Sequence, residues 1–303
     1  KVHWLEIYKL PVMSRTAKGR PISNVLPLDE DEKVTSFLPV DEYKDGHFII
    51  MATRNGVVKK TALKAFEKRY APGLRAINLD EGDKLIGTII TDGKDEVCLA
   101  SESGKAIRFA VSDVRVFKGR DSTGVRGIKL AKNDFVVSMA IIRHVDVSSE
   151  ERYSYFKMRK AITGEESSEV SNLDNNDKMI AISKDRYAEL SASEEWILTL
   201  TSSGYGKRSS ALEFRVSGRG GQGITAANLL RREDTIVAAF PVEDDDQIML
   251  MTSTGKAIRC PVSGISRQSR TASGVKVFTT SNEEKVVSVA WIAENNEDND
   301  TTT

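Results

Sequence analysis

One unit recurs along this chain and limits what it can fold into. An apolar run ends in Ser/Thr-x-x-Gly, and a second run carrying basic residues follows. The copies are Phe48–Lys60 around Gly56, Val97–Arg108 around Gly104, Ile197–Arg208 around Gly204 and Ile248–Arg259 around Gly255. Each reads as a β-hairpin, with glycine supplying the positive φ of a tight turn between aliphatic strands. A second unit follows each hairpin. Its loop glycines are Gly19, Gly73, Gly124, Gly223 and Gly274. They lead into apolar segments Ile22–Leu28, Leu74–Leu79, Val125–Leu130, Ile224–Leu230 and Val275–Phe278. Short acidic turns come next, then the apolar runs Val34–Val40, Leu85–Thr91, Val136–Ile142, Ile236–Val242 and Val286–Ile292. Four strands per period of about 50 residues predict an all-β, propeller-like ring of four-stranded blades, none of which buries its own apolar faces.

The hairpin glycines Gly104 and Gly204 stand about two periods apart, yet no further blade lies between them. The segment 144–195 has no Ser/Thr-x-x-Gly hairpin, and it holds 12 acidic and 7 basic residues. Glu150–Ile162 and Lys184–Glu195 read as helical, and the polar stretch Gly164–Asn176 between them reads as disordered. We take 144–195 as an insertion in a propeller domain spanning 1–293, followed by an acidic tail, 294–303. Lys1–Pro11 matches the strand that follows a hairpin glycine elsewhere, so the first blade is expected to be incomplete and the chain to be an interior piece of a longer one.

Lysine and arginine total 44, as do aspartate and glutamate, for a net charge of zero. The insertion carries −5 and the tail −4, which leaves the propeller body at +9. A basic body with acidic appendages suits a polyanion-binding partner. The residue four after each hairpin glycine is always basic: Lys60, Arg108, Arg208 and Arg259. Lys59, Lys105, Lys207 and Lys256 lie beside them. Repeated once per blade, these predict a charged stripe around the rim that contacts phosphates. The alternative is that they pair with the acidic turn of the next blade. The glycine loops add further cations, among them Arg20, Arg75, Arg126, Arg219 and Lys276.

Other motifs carry less. Gly218–Gly223 fits G-x-G-x-x-G, but no βαβ unit surrounds it. Asp244–Asp246 reads as a solvated turn. His3, His47 and His144 have no metal-ligand spacing, and Cys98 and Cys260 form no Cys-x-x-Cys pair. No nucleophilic triad or carboxylate pair emerges, so no catalytic residue, metal or cofactor is assigned to this sequence.

The segments Arg20-Pro-Ile through Leu28, Asn55–Thr61, Thr123–Leu130 and Gly204–Arg208 resemble the C-terminal domain family of the DNA gyrase A subunit. The resemblance covers Lys1–Arg143 and Trp196–Ala293. It implies a six-bladed β-pinwheel whose neighbouring blades exchange strands, and double-stranded DNA bent around a basic rim. It implies a parent type IIA topoisomerase in the bacterial cytoplasm, associated with the nucleoid. The partners there are the A-subunit core and the gyrase B subunit, while ATP and magnesium act elsewhere in the holoenzyme to drive negative supercoiling. The family's Gln-Arg-Arg-Gly-Gly-Arg-Gly box is absent, as are its catalytic tyrosine and breakage-reunion core. The acidic tail resembles tails that compete with DNA for the rim. The alternatives are a protein-interaction propeller and the corresponding domain of the topoisomerase IV A subunit. Trp-Asp or Gly-Gly signatures once per blade, which a protein-interaction propeller needs, are missing.

Overall fold

The computed structural model describes residues 1–14, 17–29, 32–165, 167, 181–231, 233–281 and 284–292. The acidic tail, Arg15 and nearly all of the polar stretch inside the insertion lie outside the described residues. The chain divides into two compact units: 1–93 with 114–126, and 94–113 with 127–303.

In the first unit, β1 (Phe48–Thr53) and β2 (Val57–Ala62) form the first hairpin. β3 (Leu85–Thr91) pairs with β1. The fourth strand, β6 (Val125–Arg126), pairs with β2 but arrives from the loop after the next hairpin in the chain. The same exchange recurs at Val2, which bridges antiparallel to Leu74. Ile49, Met51, Leu63, Phe66 and Ala76 form the unit's core, with Trp4 and Tyr43 packed on it.

The second unit holds three more sheets. Hairpin β4 (Glu96–Ser101) and β5 (Lys105–Ala110) takes β7 (Val136–Ile142) on one side and β10 (Ile224–Thr225) on the other. Hairpin β8 (Trp196–Thr201) and β9 (Tyr205–Ser210) takes β11 (Ile236–Val242) and β14 (Val275–Lys276). Hairpin β12 (Gln247–Thr252) and β13 (Ala257–Pro261) takes only β15 (Val286–Ile292). Cys98, Ala100 and Ala140 pack with Ile197, Phe214 and Ala239 between the second and third sheets. Leu198 and Leu200 pack with Ile248, Leu250 and Val286 between the third and fourth.

Two details of the strand expectation change. The apolar segment after each loop glycine pairs over only two residues in β6, β10 and β14, since the fourth strand is a short clip on its neighbour's hairpin. Val34–Val40 forms no strand, and Ile22–Asn24 is a 3₁₀ turn. In the other repeats the strand at that place pairs with the first hairpin strand.

The insertion contributes α1 (Ser149–Thr163) and α2 (Lys184–Ser193). A Ser148–Glu151 capping box starts α1, and left-handed Gly164 ends it. Tyr155, Phe156 and Leu190 are fully buried against Leu212, in the turn after β9. Arg159 lies over the rings of Phe156 and Trp196 at 4.8 and 5.3 Å and donates to Glu194 Oε1 at 2.5 Å. The insertion is therefore part of the second unit's packing. No helix among the described residues is long and apolar enough to cross a membrane.

Candidate nucleic-acid interface

Each hairpin turn closes in the same way. The glycine N–H donates to the carbonyl three residues earlier, as from Gly104 to Ser101 at 3.1 Å and from Gly204 to Thr201 at 3.0 Å. A buried acid from the same repeat then caps the turn. Asp83 accepts from the Asn55 N–H, Asp134 from the Ser103 N–H and hydroxyl, and Asp234 from the Ser203 N–H and Ser202 hydroxyl. In the fourth repeat Glu284 accepts from Thr252, Thr254 and Lys256, and these bonds hold its carboxyl down at about 2. The acidic turns seen in the sequence thus act on their own repeat's hairpin.

The position four after the hairpin glycine is not an exposed stripe, which corrects the expectation for Lys60, Arg108 and Arg208. All three are at most 5% exposed. Their backbones form parallel bridges to the following loop, at Val116, Val216 and Arg267 respectively. Arg108 pairs with buried Glu96 and donates to the Ala211 carbonyl at 2.6 Å. Arg208 donates to the Ile265 carbonyl at 2.7 Å and pairs with Asp244, whose carboxyl it holds below the usual range. Lys60 lies 5.2 Å from the Phe48 ring centre. Only Arg259 is exposed: no following loop covers it among the described residues, and it donates to Gln247. The partner sits twelve residues earlier in three cases: Phe48, Glu96 and Gln247.

Lys59 and Lys207 are corrected in the same sense. Their side chains are 0% and 1% exposed. Lys59 donates to the carbonyls of Ala76 (2.7 Å) and Arg120, and Lys207 to those of Ser269 (2.8 Å) and Arg270. Burial pushes their ammonium groups down, to about 8 and about 7. These cations fasten glycine loops to hairpins, and their strands are covered on both faces. The sequence offers no alternation to reveal this, because β2, β5 and β9 are buried at nearly every position.

The exposed cations lie elsewhere. Lys105, Lys256, Arg259, Arg20, Arg75, Arg126, Arg219 and Lys276 all present accessible side chains. Several share one geometry, the clip at the sheet edge. There the residue two after the loop glycine faces the residue one after the hairpin glycine: Arg126 opposite Val57, Thr225 opposite Lys105 and Lys276 opposite Tyr205. Each of these pairs carries one cation. Lys105 donates to the Thr225 hydroxyl at 3.2 Å, and Lys276 lies 5.3 Å from the Tyr205 ring centre. Arg75 follows Leu74, the clip residue opposite Val2, and donates to Asn78 at 3.1 Å. Arg219 donates to the Asp113 carbonyl at 3.0 Å. Within the clip the loop glycine is required: a Cβ on Gly274, at φ +89°, would meet the Gly206 carbonyl oxygen at 2.6 Å. A counterion-bearing polymer with a regular charge spacing suits cations fixed at repeated edges.

Comparison with known proteins places the repeat in a family. The family model described as the DNA gyrase C-terminal domain, a β-propeller, matches residues 1–41, 47–92, 95–143, 195–243 and 246–290. The gap at 144–194 coincides with the insertion. The DNA gyrase A subunit of Rickettsia prowazekii is 40% identical over 304 residues, covering 98% of this chain and 33% of that protein. That of Granulibacter bethesdensis is 40% identical over 310 residues, covering 97% of the chain and 33% of that protein. The chain thus spans about a third of the length of these relatives. Two solved structures share the fold. A C-terminal domain of DNA topoisomerase IV superposes with TM-score 0.69 at 24% identity, covering 90% of this chain and 70% of that one. A DNA gyrase A C-terminal domain gives TM-score 0.66 at 21% identity, with 91% and 76% covered. With five successive repeats matched, and relatives 40% identical across nearly its whole length, the chain belongs to the C-terminal domain family of the DNA gyrase A subunit.

Proposed function

We propose that this domain binds and bends duplex DNA on its exposed edge cations, serving the supercoiling reaction of a bacterial gyrase whose catalytic parts lie in other segments and subunits. The observation that carries this reading is the clip, which fixes one exposed cation per cross-strand pair on an ordered sheet edge. Lys105, Lys256, Arg259, Arg20, Arg75, Arg126, Arg219 and Lys276 are the contacts, and double-stranded DNA is the partner. Bending a 20–30 base-pair site by 40–90° costs roughly 1–6 kcal/mol, so several phosphate contacts must offset it. Phosphate contacts of this kind are sequence-independent and weaken steeply with salt. The A-subunit core joins the gyrase B subunit to complete the assembly in the bacterial cytoplasm, where ATP and magnesium act outside this domain.

The test is DNA affinity across a salt series for Lys105→Ala, Arg126→Ala, Arg219→Ala and Lys276→Ala. Each is expected to weaken binding on all sequences and to lower the slope of log K against log salt by about 1. Ligating nicked plasmid on the protein should trap linking differences of one sign. Wild-type affinity in all four variants would sink the reading.

A further inference from the structure

The sheet edge at Tyr205 and Lys276 borders a pocket of about 130 Å³, lined by Ser203, Tyr205, Arg231, Lys276, Thr280 and Ser281. Among the described residues the lining holds two cations, four hydroxyl-bearing side chains and no carboxylate. Room for roughly four waters matches the size of a hydrated phosphate group.

Two of its lining residues, Arg231 and Tyr205, differ in type from their counterparts in the other repeats. Arg231 stands three residues before the acid that caps its hairpin, and its carbonyl accepts from the Asp234 N–H at 3.1 Å. The same turn occurs at Asp80–Asp83, Ala131–Asp134 and Ser281–Glu284, so Arg231 is the only cation of the four. Tyr205 stands where the other hairpins have Val57, Lys105 and Lys256. Arg231 is exposed and makes no ion pair among the described residues. Lys276 is held at the mouth by the Tyr205 ring. Among the described residues two acids bond to the lining: Asp234 accepts from the Ser203 N–H and is also engaged by the Ser202 hydroxyl, and Glu284 accepts from Ser281 and is otherwise engaged by Thr252, Thr254 and Lys256. A guanidinium fork and an ammonium beside hydroxyls form a receptor for tetrahedral oxyanions.

We infer that this pocket is a phosphate seat: Arg231 and Lys276 grip a phosphoryl group, and the hydroxyls of Tyr205, Thr280 and Ser203 donate to its oxygens. The inference deepens the DNA reading above, and the group it takes is a backbone phosphodiester or a free phosphate. On duplex DNA, one seat deeper than the other edge contacts would fix where along the duplex the phosphates fall into register.

Two arms test it on the whole chain. Inorganic phosphate is titrated while amide shifts of Ser203, Tyr205 and Lys276 are followed, against sodium chloride of equal ionic strength. Saturable shifts are expected for phosphate alone, weakened at least roughly tenfold in Arg231→Gln and in Lys276→Gln. In the second arm, Arg231→Gln should weaken duplex DNA binding roughly fivefold and remove one phosphate from the ethylation-interference pattern. A response in the DNA arm assigns the seat to the phosphodiester; a response to inorganic phosphate alone assigns it to free phosphate. No response in either arm overturns the seat, and if Lys105→Ala and Arg126→Ala still weaken DNA the wrapping reading survives it. If phosphate binds but no edge variant alters DNA affinity, the wrapping reading falls and the seat stands. Both residues are exposed, so these variants leave the fold intact, which circular dichroism verifies.

Discussion

A lysine one residue after a hairpin glycine and a lysine three residues after it have opposite environments. Lys105 and Lys256 face solvent, whereas Lys59 and Lys207 are sealed beneath a glycine loop. The difference has a measurable sign. The folded Lys207 ammonium titrates at about 7, far below its ordinary 10.5, because burial disfavours its charge. Between these values the unfolded chain binds more protons than the native one, so stability rises with pH. The urea midpoint is expected to rise from pH 7 to pH 9, and Lys207→Met to flatten that rise. The window closes near pH 9, since the buried Cys98 thiol, pushed up to about 12, then acts in the opposite direction. A second residue-scale prediction concerns the hairpin cap. Asp234→Ala strips acceptors from the Ser203 N–H and the Ser202 hydroxyl, and should cost roughly 1–3 kcal/mol in urea unfolding. Lys207→Met and Asp234→Ala should leave the DNA salt slope of the folded protein unchanged, which separates fastening residues from contact residues.

At the scale of elements, the hairpins are legible in the sequence and the clips are not. Ser/Thr-x-x-Gly between aliphatic runs names a turn because glycine alone adopts its positive φ cheaply, and Gly56, Gly104, Gly204 and Gly255 have φ of 81, 91, 80 and 83°. Two-residue pairing such as Val275–Lys276 leaves no periodicity to read, and its partner lies about 70 residues back in the chain. The basic residues after each hairpin glycine read as exposed because charge normally seeks water. Arg108 and Arg208 instead find carboxylates and loop carbonyls inside. The helices of the insertion are legible as charged stretches, while their capping and their anchoring through Arg159 to Trp196 emerge only in the structure, the latter because it depends on contacts distant in sequence. Gly274→Ala should release β14: the alanine Cβ would strike the Gly206 backbone at a strained φ, at a cost of order 1–3 kcal/mol before the clash is counted. Faster amide exchange at Tyr205 and Gly206, with the β8–β9 pairing still protected, is the expected signature.

For the whole molecule, a net charge of zero conceals a basic body and acidic appendages, so electrostatic behaviour should depend on which segments are present. Replacing 144–195 with a turn like that between β3 and β4 would uncover Leu212, now 3% exposed, and the third repeat should unfold at lower temperature. Thermal unfolding followed by calorimetry reads this directly. The edge cations Lys105 and Lys276 lie outside the insertion, so the salt slope for DNA should be nearly unchanged.

The clip also decides how the domain bears a load. Because β14 belongs in sequence to one repeat and in hydrogen bonding to the one before, a pull on Lys276 is shared by two consecutive repeats, much as overlapping tiles share the wind. A stiff polymer held in a bend pulls outward wherever it is gripped. Overlapped edges spread that tension along the chain instead of peeling a single sheet from its neighbours.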